Sequence, residues 1–299
     1  VHCTLIYTEV KMPENAQTQG VNPLQKYFRQ AKNYVRLPSG GKYYPAGTLD
    51  MPPIGELPVF AMTAKDEITF KTPDALMNGQ ATVDVIQSCV PNIKNAWFMP
   101  SIDLDAVLIA IRIATYGEKM DVNVTLPNTD IKRDYSMDLR QALDDLLLGN
   151  FDSTLQVGAM TINLRPLNYR EFTNGAVKTF EEQRIYSIVN DDKIDDKDKL
   201  AMFQKSFSKL TDLTISMAVQ GITSIQVDGV TVTDAKHIEE FISNTEKNVF
   251  TAIMEHMKKQ RESFSIRPLK VNSLPDDIKA GAPATFEVPV TFDQSNFFA

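Results

Sequence analysis

Cysteine is nearly absent from this sequence: 299 residues contain two, Cys3 and Cys89. A disulfide-stapled scaffold is therefore excluded, and a reducing compartment is the expected setting. Histidine is almost as scarce, with His2, His237 and His256 the three present. The last two fall near opposite ends of one predicted helix, too far apart to share an ion. No His-Glu-x-x-His, no Cys-x-x-Cys and no acidic loop with a central glycine occurs, which removes the common zinc and calcium patterns. Asp191, Asp192, Asp195, Asp196 and Asp198 do gather in one run. Lys193, Lys197 and Lys199 interrupt it, and the central Gly and closing Glu of a calcium loop are missing, so it reads as a solvated helix entry. No metal and no cofactor is expected.

Long hydrophobic runs are missing too. The most apolar stretch, residues 106–114, is nine residues long and contains Arg112, well short of the roughly 20 needed to span a bilayer. No basic region followed by an apolar run opens the sequence, so no secretory signal is expected. Positive charge is in deficit: 31 Lys and Arg against 38 Asp and Glu, a net charge of −7 without a polybasic run. Neither nucleic acid nor an anionic membrane is an expected partner. Gly40-Gly41-Lys42 lacks the upstream glycine of a phosphate loop and has Tyr43 in place of its Ser or Thr, so it is a turn. Cys89 reads as a small buried hydrophobe and His256 as a side chain at a core edge. No nucleophile–base set stands out.

What remains is the composition of a globular chain, 43% hydrophobic and 23% charged, long enough to bury a core without staples. Strands are expected at 34–37 and 59–62. Thr63 with Asp66, and Asn168 with Glu171, are spaced as capping boxes. Short helices are expected over 72–78 and 81–89. Residues 101–116 are apolar on nearly every side, as befits a helix at the centre of its domain. A hairpin follows over 122–137, then a helix over 139–148. Beyond Gly149-Asn150 the pattern predicts a strand over 157–164, helices to about 189 and over 200–217, and a hairpin at Asp228-Gly229. A long helix over 234–260 completes it, its terminal charges matched to the helix dipole. The turn at Leu126-Pro127-Asn128-Thr129 is echoed by Leu274-Pro275-Asp276-Asp277, so each half is expected to end in a similar hairpin.

The expected fold class is α+β, with two mixed helical domains of 34–150 and 151–299 behind an N-terminal arm, 1–33. Each domain carries a small antiparallel hairpin. The sequence opens on Val1 with Met12 further in, and residues 1–11 are expected to be a dispensable upstream extension. At the other end Phe292, Asp293, Ser295, Asn296, Phe297 and Phe298 are candidate partner-docking residues. Aromatics beside a chain end favour burial, and the polar residues between them supply turn hydrogen bonds.

Five stretches together resemble the baseplate hub and hub-assembly proteins of T-even-like contractile-tailed phages. They are Leu37-Pro38-Ser39-Gly40-Gly41-Lys42-Tyr43-Tyr44-Pro45; Met62 through Pro91; Ile102-Asp103-Leu104-Asp105 with Ile111 through Gly117; His237 through Ile242; and Phe292 through Phe298. The resemblance covers about residues 34–299. It implies a non-enzymatic tail protein, part of the hub or a chaperone that builds it. It also implies other hub or tail proteins as partners, the tape-measure protein among them, in an oligomeric assembly. The expected location is the host cytoplasm during assembly and the virion baseplate. A hydrolase with a non-obvious carboxylate site and an unrelated host scaffold protein are the alternatives. The resemblance also implies Cys-Pro-x-Cys knuckles at the two hairpins, and here this chain departs: neither hairpin holds a cysteine. Both hairpins then resemble zinc-ribbon hairpins without metal, and packing has to hold them, since a structural zinc needs about four N or S ligands.

Overall fold

The computed structural model describes residues 24–71, 79–189 and 195–288. Two compact units divide the chain, residues 1–30 and residues 31–299. In the first, a single 3₁₀ turn, Gln25–Tyr27, is described. The second opens with β1 (Ala31–Val35) and β2 (Leu57–Phe60), paired antiparallel with an irregularity between Ala31 and Asn33. Both strands lie two or three residues earlier than the sequence suggests. Gly40 N–H donates to the Leu37 carbonyl at 2.8 Å, so the chain is already turning where a strand was expected.

α1 (Ala64–Phe70) begins at the predicted capping box, with Thr63 and Asp66 satisfying each other's backbone N–H. The helix expected over 72–78 lies outside the described residues. α2 (Gln80–Cys89) starts after Gly79 and buries Cys89. α3 (Ser101–Tyr116) is the centre of the first core. Ala106, Val107, Ile109, Ala110 and Ile111 on it are fully buried, and β1, β2, α2 and the next helix pack around it. The hairpin of β3 (Lys119–Thr125) and β4 (Lys132–Asp138) follows, its turn allowed by Asn128 in the left-handed region at φ 64°. α4 (Leu139–Leu147) begins with the Asp138 carboxylate accepting from Arg140 N–H.

The expected strand over 157–164 is instead a hairpin, β5 (Thr154–Val157) and β6 (Met160–Leu164). Gly158 at φ 60° makes the reversal, a conformation that costs glycine nothing. α5 (Tyr169–Val189) starts at the predicted Asn168–Glu171 capping box. It runs alongside α6 (Asp196–Gly221), and the pair forms a long helical excursion between β6 and β7 (Ile222–Val227). β8 (Val230–Val232) closes the antiparallel sheet β5-β6-β7-β8 through Asp228-Gly229, both residues at positive φ as a tight hairpin requires. A second hydrophobic cluster lies under this sheet: Ile162, Leu164, Ala218, Ile222, Ile225, Ile238, Ile242 and Ile253.

The predicted helix over 234–260 is broken in two, α7 (Ala235–Asn244) and α8 (Lys247–Glu262). Thr245 and Glu246 adopt extended backbone between them, and the Asn244 side chain caps the Glu240 carbonyl. Polar residues able to bond nearby backbone offer the chain this alternative to helix.

The final strands, β9 (Leu269–Asn272) and β10 (Thr285–Val288), enclose a short helix, α9 (Pro275–Lys279). Here the echo of the two Leu-Pro stretches ends: the first is a turn, the second opens a helix with proline at its first position. Nor does this hairpin stay with the second cluster. It lies on the first hairpin, where Arg133 on β4 donates two hydrogen bonds, 2.8 and 3.2 Å, to the Asp277 carboxylate. Tyr135 meets Phe286 edge to face. Asp277 is 1% exposed, and the hydrogen bonds from Arg133 hold its carboxyl below the usual range.

Candidate protein-docking groove

α3 enters the core through a buried carboxylate. Asp103, in its first turn, has no exposed surface and takes three hydrogen bonds from the 39–44 turn. Ser39 N–H donates to Oδ1 at 2.7 Å, the Ser39 hydroxyl to Oδ2 at 2.6 Å, and the Tyr44 hydroxyl to Oδ2 at 3.0 Å. Gly41 N–H in turn donates to Ser39 Oγ. Burial pushes the Asp103 carboxyl up to about 6, opposed by these hydrogen bonds. Burial, and then the neighbouring Asp103 charge, push the Tyr44 phenol well up. A raised carboxyl pKa is one mark of a catalytic acid, but this one is sealed from solvent with its partners inside the protein. It is a lock between turn and helix.

The lock fixes a wider junction. Ser101 N–H donates to the Leu167 carbonyl and Tyr169 N–H to the Met99 carbonyl, both at 2.8 Å, which ties the start of α3 to the start of α5. Tyr43, at φ 69° in the same turn, meets Phe151 edge to face. On the other side α8 grips the chain at Asp152: its N–H donates to Gln260 Oε1 at 2.7 Å, and His256 Nε2–H donates to its carbonyl at 2.9 Å. Residues 256 and 260 are one helical turn apart, so one face of α8 holds both the N–H and the carbonyl of Asp152. Gly149 fits because it has no side chain; a Cβ there would sit 2.5 Å from Phe264.

Between these ties lies an open groove. One part of it, about 230 Å³, is lined by Phe151, Leu164, Phe172, Met217, Met254 and Met257. Its rim carries Arg165, His256, Lys258 and Arg261, and no carboxylate lines it. Arg165 is held by Glu171 through two hydrogen bonds of 2.7 and 2.9 Å, and Lys258 reaches Glu262 at 3.8 Å. The Arg261 guanidinium has no hydrogen bond or ion pair among the described residues. A second hollow of about 410 Å³ continues past Arg261 along Leu104, Asp105, Glu262 and Phe264, and two carboxylates line this part. Burial raises the Asp105 carboxyl pKa. Methionines give such a floor an adaptable surface, and arginine beside aromatics is a composition enriched at protein contacts.

The residues singled out in the sequence fare unevenly. His256 sits at a core edge, as expected. The Asp191–Asp192 part of the acidic run, residues 1–11, and all of Phe292, Asp293, Ser295, Asn296, Phe297 and Phe298 lie outside the described residues. Among the described residues no three His, Cys, Asp or Glu side chains gather as an ion would need, and no helix is long and apolar enough to cross a membrane. The groove itself went unseen: Met217 and Met257 look like members of helical core stripes, and Arg261 like a charge answering the helix dipole. The one legible hint of the lock was that Ser39 and Tyr44 belong to one, and Asp103 to another, of the stretches that carry the family resemblance.

Fold and groove together define an α+β scaffold with an open, largely apolar groove. Comparison with known families then places it: the chain belongs to the T4 bacteriophage base plate protein family, whose pattern matches residues 33–268. It is a structural protein of the phage tail baseplate, and other tail and baseplate proteins are its partners. No curated protein and no solved structure matches it.

Proposed function

We propose that this baseplate protein belongs to the hub, or builds it, and works by contact alone without enzymatic chemistry. Its partners on this reading are other hub proteins and the tape-measure protein, in an oligomeric assembly. The observation that carries a contact role is the groove, apolar at its floor, with Arg165, Lys258 and Arg261 at its rim. The hub assignment rests on the resemblance along residues 34–299. Phe292, Asp293, Ser295, Asn296, Phe297 and Phe298 are the docking residues of this proposal, and the two hydrophobic clusters motivate a division into two lobes near residue 150.

Mass spectrometry of purified particles tests the hub reading. A hub component appears in mature tails, and an assembly factor appears only in extracts of infected cells. Presence in neither, or in a tail structure away from the hub, would reject it. Deleting residues 295–299 tests the docking residues. Lost incorporation into hub complexes at unchanged thermal stability supports them; normal incorporation does not.

A further inference from the structure

We infer that α6 joins two copies of this chain, pairing antiparallel with α6 of a second copy about a twofold axis at Phe207. The inference rests on the helix alone; the hub reading is tested in particles and stands or falls separately.

The α5–α6 hairpin carries phenylalanines on its outside. In the described middle of its seam the Ser206 hydroxyl donates to the Glu182 carbonyl at 3.3 Å, and Lys209 Nζ to Glu182 Oε1 at 2.7 Å. Phe207 is one residue on from Ser206, so it points about 100° away from that seam. Leu200, Phe203 and Phe207 are 58%, 40% and 62% exposed. At roughly 200 Å² for each side chain that leaves on the order of 300 Å² of apolar surface in water, a size that often marks a contact site.

The stripe is its own complement. Leu200 and Thr214 each lie seven residues from Phe207, and Phe203 and Thr211 each lie four, so all five share one side of the helix. A twofold axis at Phe207 sets Leu200 opposite Thr214 of the second copy, and Phe203 opposite its Thr211. Large then meets small along the seam, as interdigitating layers require. Both threonines are exposed, yet their hydroxyls donate within α6, to the Phe207 carbonyl at 3.0 Å and the Leu210 carbonyl at 2.8 Å. Their methyls are thereby left for a dry contact. None of the five positions carries a charge, so like meets like without the repulsion that charged twofold faces incur. The two faces together hold about 600 Å² of exposed apolar side chain, less than a standard interface, so the dimer dissociates in the micromolar range.

The test uses the full chain with Leu200→p-benzoylphenylalanine, as an equal mixture of heavy-isotope-labelled and unlabelled protein. It is irradiated at about 50 µM, a concentration suited to a weak dimer, and mapped by mass spectrometry. The expected products are heavy-to-light links to residues 211–218 of α6. Adding Thr211→Lys, a variant checked for unchanged thermal unfolding, should lower their yield about fivefold or more. Adding Ile68→Lys, at an exposed apolar residue on α1, should leave it unchanged. Links to the region around residue 200 would mean a parallel pairing and overturn the inference. Links only within one chain, no links, or a yield indifferent to Thr211→Lys or lowered equally by Ile68→Lys would each overturn it too.

Discussion

Asp103 accepts three hydrogen bonds, yet burial still raises its pKa from the ordinary 3.8 to about 6. The folded state therefore holds this proton more tightly than the unfolded state does. Stability contributed by the protonated form is present below about pH 4 and is lost as pH rises towards 6. Asp103→Asn removes that titration, so its thermal midpoint should vary less between pH 4 and 6 than that of the parent; identical profiles would show that Asp103 does not titrate there. Asp103→Ala strands the Ser39 N–H and two hydroxyls, and should cost about 3 kcal/mol in urea unfolding. Gly149→Ala acts through volume instead. The new methyl would lie 2.5 Å from the Phe264 ring and 2.8 Å from the Ser263 carbonyl oxygen, neither the loose end of a flexible side chain. A loss of about 1–3 kcal/mol is expected, read from the shift of the urea midpoint.

Among elements, the paired hairpins depend on one contact. Arg133→Leu leaves the Asp277 carboxylate buried without its partner. Hydrogen exchange should then lose protection over 269–288 while 101–116, deep in the first core, keeps it; unchanged protection at both would show that Tyr135 and Phe286 suffice. This docking could not be read from sequence, because nothing local in β4 or α9 reveals a partner 144 positions away. The Asp103 lock escaped for the same reason, spanning 64 positions. Local signals did far better. Thr63–Asp66 and Asn168–Glu171 form their capping boxes, Asp228-Gly229 makes its hairpin, and the all-round apolar pattern of α3 matches its burial. The failures within elements are also physical. The stripe of apolar residues runs unbroken through Thr245, so periodicity could not reveal that polar side chains end α7 there. Gly158 lay inside a run of strand-forming residues that a single glycine folds in half.

Across the whole molecule, the chain's last described hairpin completes the surface of its first. A chain ending at residue 268 should keep α3 and its neighbours folded but expose β3 and β4, so limited trypsin digestion should cut at Lys132 or Arg133 far faster than in the full chain. Equal cleavage rates would mean that the first hairpin is stable by itself. The same arrangement imposes a timetable on synthesis. At about 5–20 residues per second, the 144 positions between Arg133 and Asp277 represent roughly 7–30 s of translation. For that interval every nascent chain carries an arginine and a tyrosine on an uncovered strand, among many siblings on the same message. Until residue 277 emerges, the first hairpin has to hold its register without the contact that covers it in the finished chain.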